Sequence, residues 1–173
     1  MKIIFLDIDG VLNSGDYMSA LYSLRDRHNI GSTKDEYGQL FDPRCVAYLD
    51  FIIRETDAKI VISSTWRRNG LSILKEMWEM RGLPGEVIDI TPLTMDGDIV
   101  ERYYHPDADR GYEIQEWLNN HTGITSHVIL DDNSDMLPTQ NFVKCDGRFG
   151  ISCEVSNKAI EYLKKENNEN NIS

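Results

Sequence analysis

Four short segments carry residue types whose spacing could do chemistry. The first is Asp7-Ile8-Asp9-Gly10-Val11-Leu12, which follows an apolar run. Carboxylates two positions apart on an extended chain point the same way. Such a pair can hold one hard divalent cation, which offsets their mutual repulsion. Gly10 permits the sharp turn that would leave the strand there. The second segment is Ser63-Ser64-Thr65. Hydroxyls and free backbone N–H groups at a strand-to-helix turn suit a phosphate oxygen, and they equally suit a helix N-cap. Arg67 and Arg68 follow, either as surface charge or as contacts to a leaving group. The third is Arg110, at the start of an amphipathic stretch. A cation opposes the helix dipole at that end, so pairing with a carboxylate and a phosphoryl oxygen would give it a reason to be there. The fourth is Asp131-Asp132-Asn133-Ser134-Asp135. Carboxylates so crowded repel strongly at low dielectric, and a cation or a basic side chain among them would relieve this. Each segment alone also fits a plain turn, cap or solvated loop; their joint placement carries more.

The elements that must position these residues follow from periodicity. Apolar runs alternate with amphipathic stretches, the pattern of a parallel α/β sheet. Residues 2–6 form a β-branched apolar run, as expected of a strand buried on both faces. Asp42-Pro43 reads as an N-cap with a first-turn proline, and Val46, Leu49, Ile52 and Ile53 form one helical stripe after it. A strand is expected at 59–62, then a helix burying Leu71, Leu74, Met77 and Trp78 and stopped by Gly82. A short strand at 87–90 ends before Pro92. A helix over 110–121 buries Ile114, Trp117 and Leu118. Strands at 127–130 and at Phe142-Val143 and a helix near 155–165 complete the order. All four segments then lie at strand ends or a helix start, on the edge where open α/β sheets bind ligands. Residues 13–41 and 92–109 break the rhythm and read as substrate-facing insertions in one domain over residues 1–165, with 166–173 a frayed tail.

Length and charge limit the function. A chain of 173 residues points to one domain with a core of its own. Acidic residues number 29 against 18 basic, a formal charge of −11, which argues against a broad basic face for a nucleic-acid backbone. A local basic pocket and an acidic cation site remain open. No apolar run is long enough to span a membrane, and Ile3-Ile4-Phe5-Leu6 is too short for a secretory signal. Cys45, Cys145 and Cys153 lack metal-ligand spacing and read as reduced thiols, so a cytoplasmic location is expected. The histidines show no metal-ligand spacing either. Trp66, Trp78 and Trp117 read as core, although Trp66 lies beside the Ser-Thr turn and could line a site.

The order D-x-D-G, Ser/Thr, basic residue, Asp-Asp resembles the haloacid dehalogenase (HAD) superfamily of phosphohydrolases, over about residues 2–145. Within it, FLDIDGVLN, VISSTWR, RGYEIQEWL and VILDDNSDM are similar to the HAD domain of Swiss Army Knife RNA repair-like proteins. The resemblance implies a HAD-like (Rossmannoid) three-layer α/β sandwich, a mostly parallel sheet of about five strands with helices on both faces and minimal cap insertions. It implies a phosphomonoesterase in which Asp7 is the nucleophile, forming an aspartyl-phosphate, and Asp9 is the general acid and base. Mg2+ would be held by Asp7, the backbone carbonyl of Asp9, and Asp131 or Asp132, with Asp135 as a supporting partner behind them. The sequence does not separate Asp131 from Asp132. Ser63 would bind the phosphoryl group and Arg110 would neutralise it, with Gly10, Ser64, Thr65 and Arg67 as further substrate contacts. Arginine at 110 departs from the more usual lysine. The substrate is a phosphorylated molecule, with a nucleotide or nucleic-acid end as candidates because the insertions are too short for a full cap. Phosphorylated small metabolites or phosphoproteins are alternatives, and a catalytically silent binding module is another. A receiver-type signalling domain is disfavoured because D-x-D-G comes first.

Overall fold

The computed structural model describes residues 1–29, 31–93 and 109–165. Its central strand is β1 (Lys2–Leu6), whose residues from Ile3 onward are fully buried. Alternate side chains enter opposite layers: Ile4 and Leu6 join one apolar cluster, Ile3 and Phe5 the other. Four further strands complete a sheet in the order β5 (Val87–Ile90), β4 (Lys59–Ile62), β1, β6 (Ser126–Asp131), β7 (Phe142–Lys144), and every pairing is parallel. Because the pairs are parallel, the ends of β1, β4 and β6 meet on one edge.

Helices cover both faces, which makes three layers. On one face pack α2 (Pro43–Thr56) through Leu49 and Ile52, α3 (Leu71–Met80) through Leu74, Met77 and Trp78, and a C-terminal helix at Cys153–Lys164 through Ala159 and Leu163. On the other, α4 (Asp109–Asn120) presents Ile114 and Trp117 to Phe5, Val61 and Ile129. The C-terminal helix is α5. Asp42 caps α2 by accepting from the Arg44 N–H at 2.9 Å, with Pro43 in the first turn. Gly82 stops α3 as expected: it follows the Arg81 cap at φ 58°, its N–H donating to the Glu79 carbonyl at 2.9 Å and the Leu83 N–H to the Trp78 carbonyl at 3.0 Å. None of the helices is long and apolar enough to cross a membrane, among the described residues.

The expected insertion at 13–41 is not featureless. It holds α1 (Gly15–His28) and a small antiparallel hairpin of β2 (Lys34–Asp35) and β3 (Gly38–Gln39). Ser14 caps α1 by accepting from the Tyr17 N–H at 3.3 Å, and Asn29 closes it in the left-handed region. Met18 is its one buried residue, so the helix has no apolar stripe to betray it. The expected insertion at 92–109, apart from its ends, and the tail 166–173 lie outside the described residues.

Candidate active site

At the shared strand edge, Asp7, Asp131 and Asp132 each offer a carboxylate oxygen to one cluster whose atoms all lie within 4.8 Å of one another. Asp7 follows β1 and is 4% exposed; Asp131 ends β6 and is fully buried. The chain holds both in place through its ladder, the Asp7 N–H donating to the Leu130 carbonyl at 3.0 Å and the Cys145 N–H to the Asp131 carbonyl at 2.8 Å. Asp132 sits between two glycines. A side chain at Gly10, whose φ is 73°, would collide with its Oδ2, and one at Gly147 would come within 2.6 Å of the same atom. Gly10 thus makes room for Asp132.

Burial sets the electrostatics. It raises the Asp131 carboxyl to about 7, with repulsion from Asp7 adding to it and Arg110 working against it. Burial also raises Asp7, opposed by the Arg110 guanidinium and by a hydrogen bond from the Ser64 hydroxyl. Asp132 is raised as well, again mainly by burial. These acids are held together against their own chemistry.

Arg110 is the cation built into the cluster. Its Nη1 donates to the Ser63 carbonyl and lies 3.4 Å from Asp7 Oδ1, while Nε lies 3.6 Å from Asp131 Oδ2. Its helix start is docked on the loop after β6. The Gly111 N–H donates to the Asp135 carbonyl at 2.9 Å, and Gln140 Nε2 donates to the Gly111 carbonyl at 2.7 Å. Asp135 therefore serves α4 through its backbone, and its carboxylate is not part of the metal-type cluster.

Consecutive residues leaving β4 face opposite ways. The Ser64 hydroxyl is on Asp7, whereas the Ser63 hydroxyl accepts from Thr91 Oγ1 at 3.4 Å. Of the two serines, the structure brings Ser64 to the cluster by its side chain and Ser63 by its carbonyl. Thr65 is exposed at the start of a 3-10 turn (Thr65–Asn69). Arg67, a candidate substrate contact, is buried behind the β4 end: it pairs with Glu113 at 2.6 Å and donates from Nη1 to the Ser64 carbonyl at 2.9 Å. A guanidinium so desolvated is held by its carboxylate partner.

Asp9 stands apart. It is exposed, and its carboxylate accepts from Asn13 Nδ2 at 2.7 Å and from Trp66 Nε1 at 3.1 Å. It forms one wall of an open groove of about 480 Å³ with Tyr37, Gln39, Thr65, Trp66 and Asn69. The site therefore has two kinds of carboxylate: a buried group beside a cation, and a solvent-facing one on neutral donors.

Comparison with known families decides what this arrangement belongs to. Residues 3–155 match the family described as the HAD domain in Swiss Army Knife RNA repair proteins. The chain belongs to that family. No curated protein and no solved structure matched it. For this HAD domain, membership suggests a phosphohydrolase-type activity.

The donor set fits a magnesium ion. Asp131 Oδ2 is buried with no hydrogen-bond partner among the described residues, and the three carboxylates of the cluster, Asp131 included, offer the hard oxygen donors such an ion takes. Asp131 and Asp132, alternatives in the sequence, both reach the cluster. The Asp9 carboxylate does not belong to it. Sequence reasoning missed Asn13 altogether, and placed Trp66 near the site without its contact to Asp9. The one available signal was Trp66's position three residues after Ser63.

Proposed function

We propose that this HAD domain is a magnesium-dependent phosphomonoester hydrolase that works through an aspartyl-phosphate on Asp7. The observation that carries the reading is the Asp7 carboxylate lodged between the Arg110 guanidinium and the Asp131–Asp132 pair, with a second carboxylate, Asp9, held separately. Asp7, Asp131 and Asp132 would hold the ion, which when bound neutralises phosphoryl charge and keeps the three acids ionised together.

Each residue then has a task. Arg110 and the Ser64 hydroxyl hold phosphoryl oxygens beside Asp7. An Asp7 oxygen attacks phosphorus, the bond to the ester oxygen breaks, and Asp9 delivers a proton to that departing oxygen. Asp9 next takes a proton from water as the water oxygen attacks phosphorus, releasing orthophosphate and restoring Asp7. Ser64 takes the role that its neighbour Ser63 has by motif position, because its hydroxyl faces Asp7. Thr65 lines the groove into which the leaving group extends. A nucleotide or nucleic-acid end phosphate is the substrate class we favour, supported by the family to which the chain belongs and by a groove lined with aromatic and amide side chains.

A phosphatase screen over 3′- and 5′-nucleotides, oligonucleotide ends, sugar phosphates and phosphopeptides tests this. Wild type should turn over with magnesium and stop on chelation, and Asp7→Asn should lose at least about a thousandfold in kcat with its fold intact. Activity retained in Asp7→Asn would sink the nucleophile assignment; indifference to chelation would sink the metal.

A further inference from the structure

We infer that the β2–β3 hairpin and Trp66 form a brace that fixes the Asp9 carboxylate for proton transfer, with Asn13, Gln39 and Trp66 as positioning residues. The inference rests on the phosphohydrolase reading, in which Asp9 serves the departing oxygen.

Asp9 is an exposed aspartate on a loop, and such a side chain left to solvent samples several rotamers. Proton transfer needs one of them. Here each carboxylate oxygen has its own donor, Asn13 Nδ2 on Oδ1 and Trp66 Nε1 on Oδ2. Each oxygen keeps a lone pair for the reacting group.

The donors are themselves held. Asn13 Oδ1 accepts from the Gly10 N–H at 2.9 Å, a contact only the amide oxygen can make, so its NH2 group must face Asp9. The same nitrogen donates to Gln39 Oε1 at 3.0 Å, which ties it to β3. Trp66 lies under the hairpin: a side chain at Gly38 would come within 2.9 Å of its ring, and Phe41 flanks it at 5.7 Å between centroids. Only glycine lets the hairpin lie this close.

The hairpin is in turn fastened to α3. Arg81, at the cap of that helix, grips Asp35 through Nε at 2.9 Å and Nη2 at 2.6 Å, and reaches the Gly38 carbonyl at 3.3 Å. Its guanidinium also lies 4.4 Å above Phe41 and 5.8 Å from Trp66. The Tyr37 hydroxyl donates to Glu76 Oε1 at 2.9 Å. Chain positions far apart in sequence thus converge on one exposed carboxylate. That expenditure of contacts is hard to explain by stability, since the carboxylate they hold faces solvent.

Leaving groups of different need distinguish positioning from scaffolding. An alkyl phosphate requires a proton on its departing oxygen; 4-nitrophenyl phosphate does not. Trp66→Phe keeps an aromatic ring at this position but loses the outer indole atoms under Gly38 along with the N–H. Its kcat/KM should fall about tenfold or more on the alkyl ester and less than about threefold on the nitrophenyl ester. Gln39→Met, a surface change that leaves the Trp66 packing alone, should shift the ratio the same way by a smaller factor. Asp9→Asn sets the largest ratio attainable. Equal falls on both esters in Trp66→Phe and Gln39→Met, or no fall, would overturn the inference while wild-type and Asp9→Asn results still uphold the phosphohydrolase. Wild type inactive on both esters would overturn that reading, and the brace with it.

Discussion

Asp131 concentrates the site's electrostatic cost in one side chain. Its carboxyl titrates near 7 in the metal-free fold, against roughly 4 in an unfolded chain. Between those values the folded protein holds a proton that the unfolded chain has released. Stability of the metal-free protein therefore falls as pH rises from about 4 to about 7, by at most on the order of 1 kcal/mol per pH unit from this group. Urea unfolding with chelator at pH 5 and pH 7.5 should show the lower midpoint at pH 7.5. Asn at 131 should flatten the difference, and magnesium should raise the midpoint chiefly at the higher pH. A metal-free protein more stable at pH 7.5 would contradict the assignment. At this scale the acids were legible as candidates from their joint placement and the family resemblance, because Asp7, Asp131 and Asp132 come from two strand ends that parallel pairing brings together. The choice between Ser63 and Ser64 was not legible. It depends on the residue at which β4 stops, and a slip of one position turns every side chain over.

Gly111 shows how an element delivers a residue to that site. Replacing glycine by alanine within a helix ordinarily stabilises by about 0.5–1 kcal/mol. Here the added carbon would lie 2.5 Å from the Leu137 backbone nitrogen, where α4 docks on the loop after β6. Gly111→Ala should accordingly destabilise by about 1–3 kcal/mol, and should lower kcat because Arg110 rides on the displaced helix start. A urea midpoint above wild type would refute this. The stripe of Ile114 and Trp117 made α4 readable, and continuous apolar runs did the same for β1 and β4. The 13–41 segment was opaque for opposite reasons. α1 buries only Met18, and the strands of the hairpin are two residues each, too short to show alternation. Their tie to Asp9 runs through Gln39 and Trp66, and no local pattern records a contact between residues so far apart in the chain.

Across the whole molecule, under the proposed function, the −11 charge would govern how a phosphorylated end is approached. The cluster cation Arg110 is mostly buried among carboxylates, and the second arginine near the strand end, Arg67, is neutralised by Glu113. An oligonucleotide therefore meets net repulsion until its terminal phosphate reaches the cluster. That repulsion extends about 30 Å at 0.01 M salt and about 8 Å at 0.15 M. At fixed saturating magnesium, kcat/KM for an oligonucleotide end phosphate should rise between those concentrations, by about two- to tenfold, with a smaller rise for a mononucleotide. A protein that gathers the backbone on a basic face behaves oppositely, since displaced counterions make its binding weaken with salt. The two signs cannot be confused. A steep fall for the oligonucleotide would mean that cations outside the cluster carry the substrate, and that local capture at Asp7, Arg110 and the metal is the wrong account of binding.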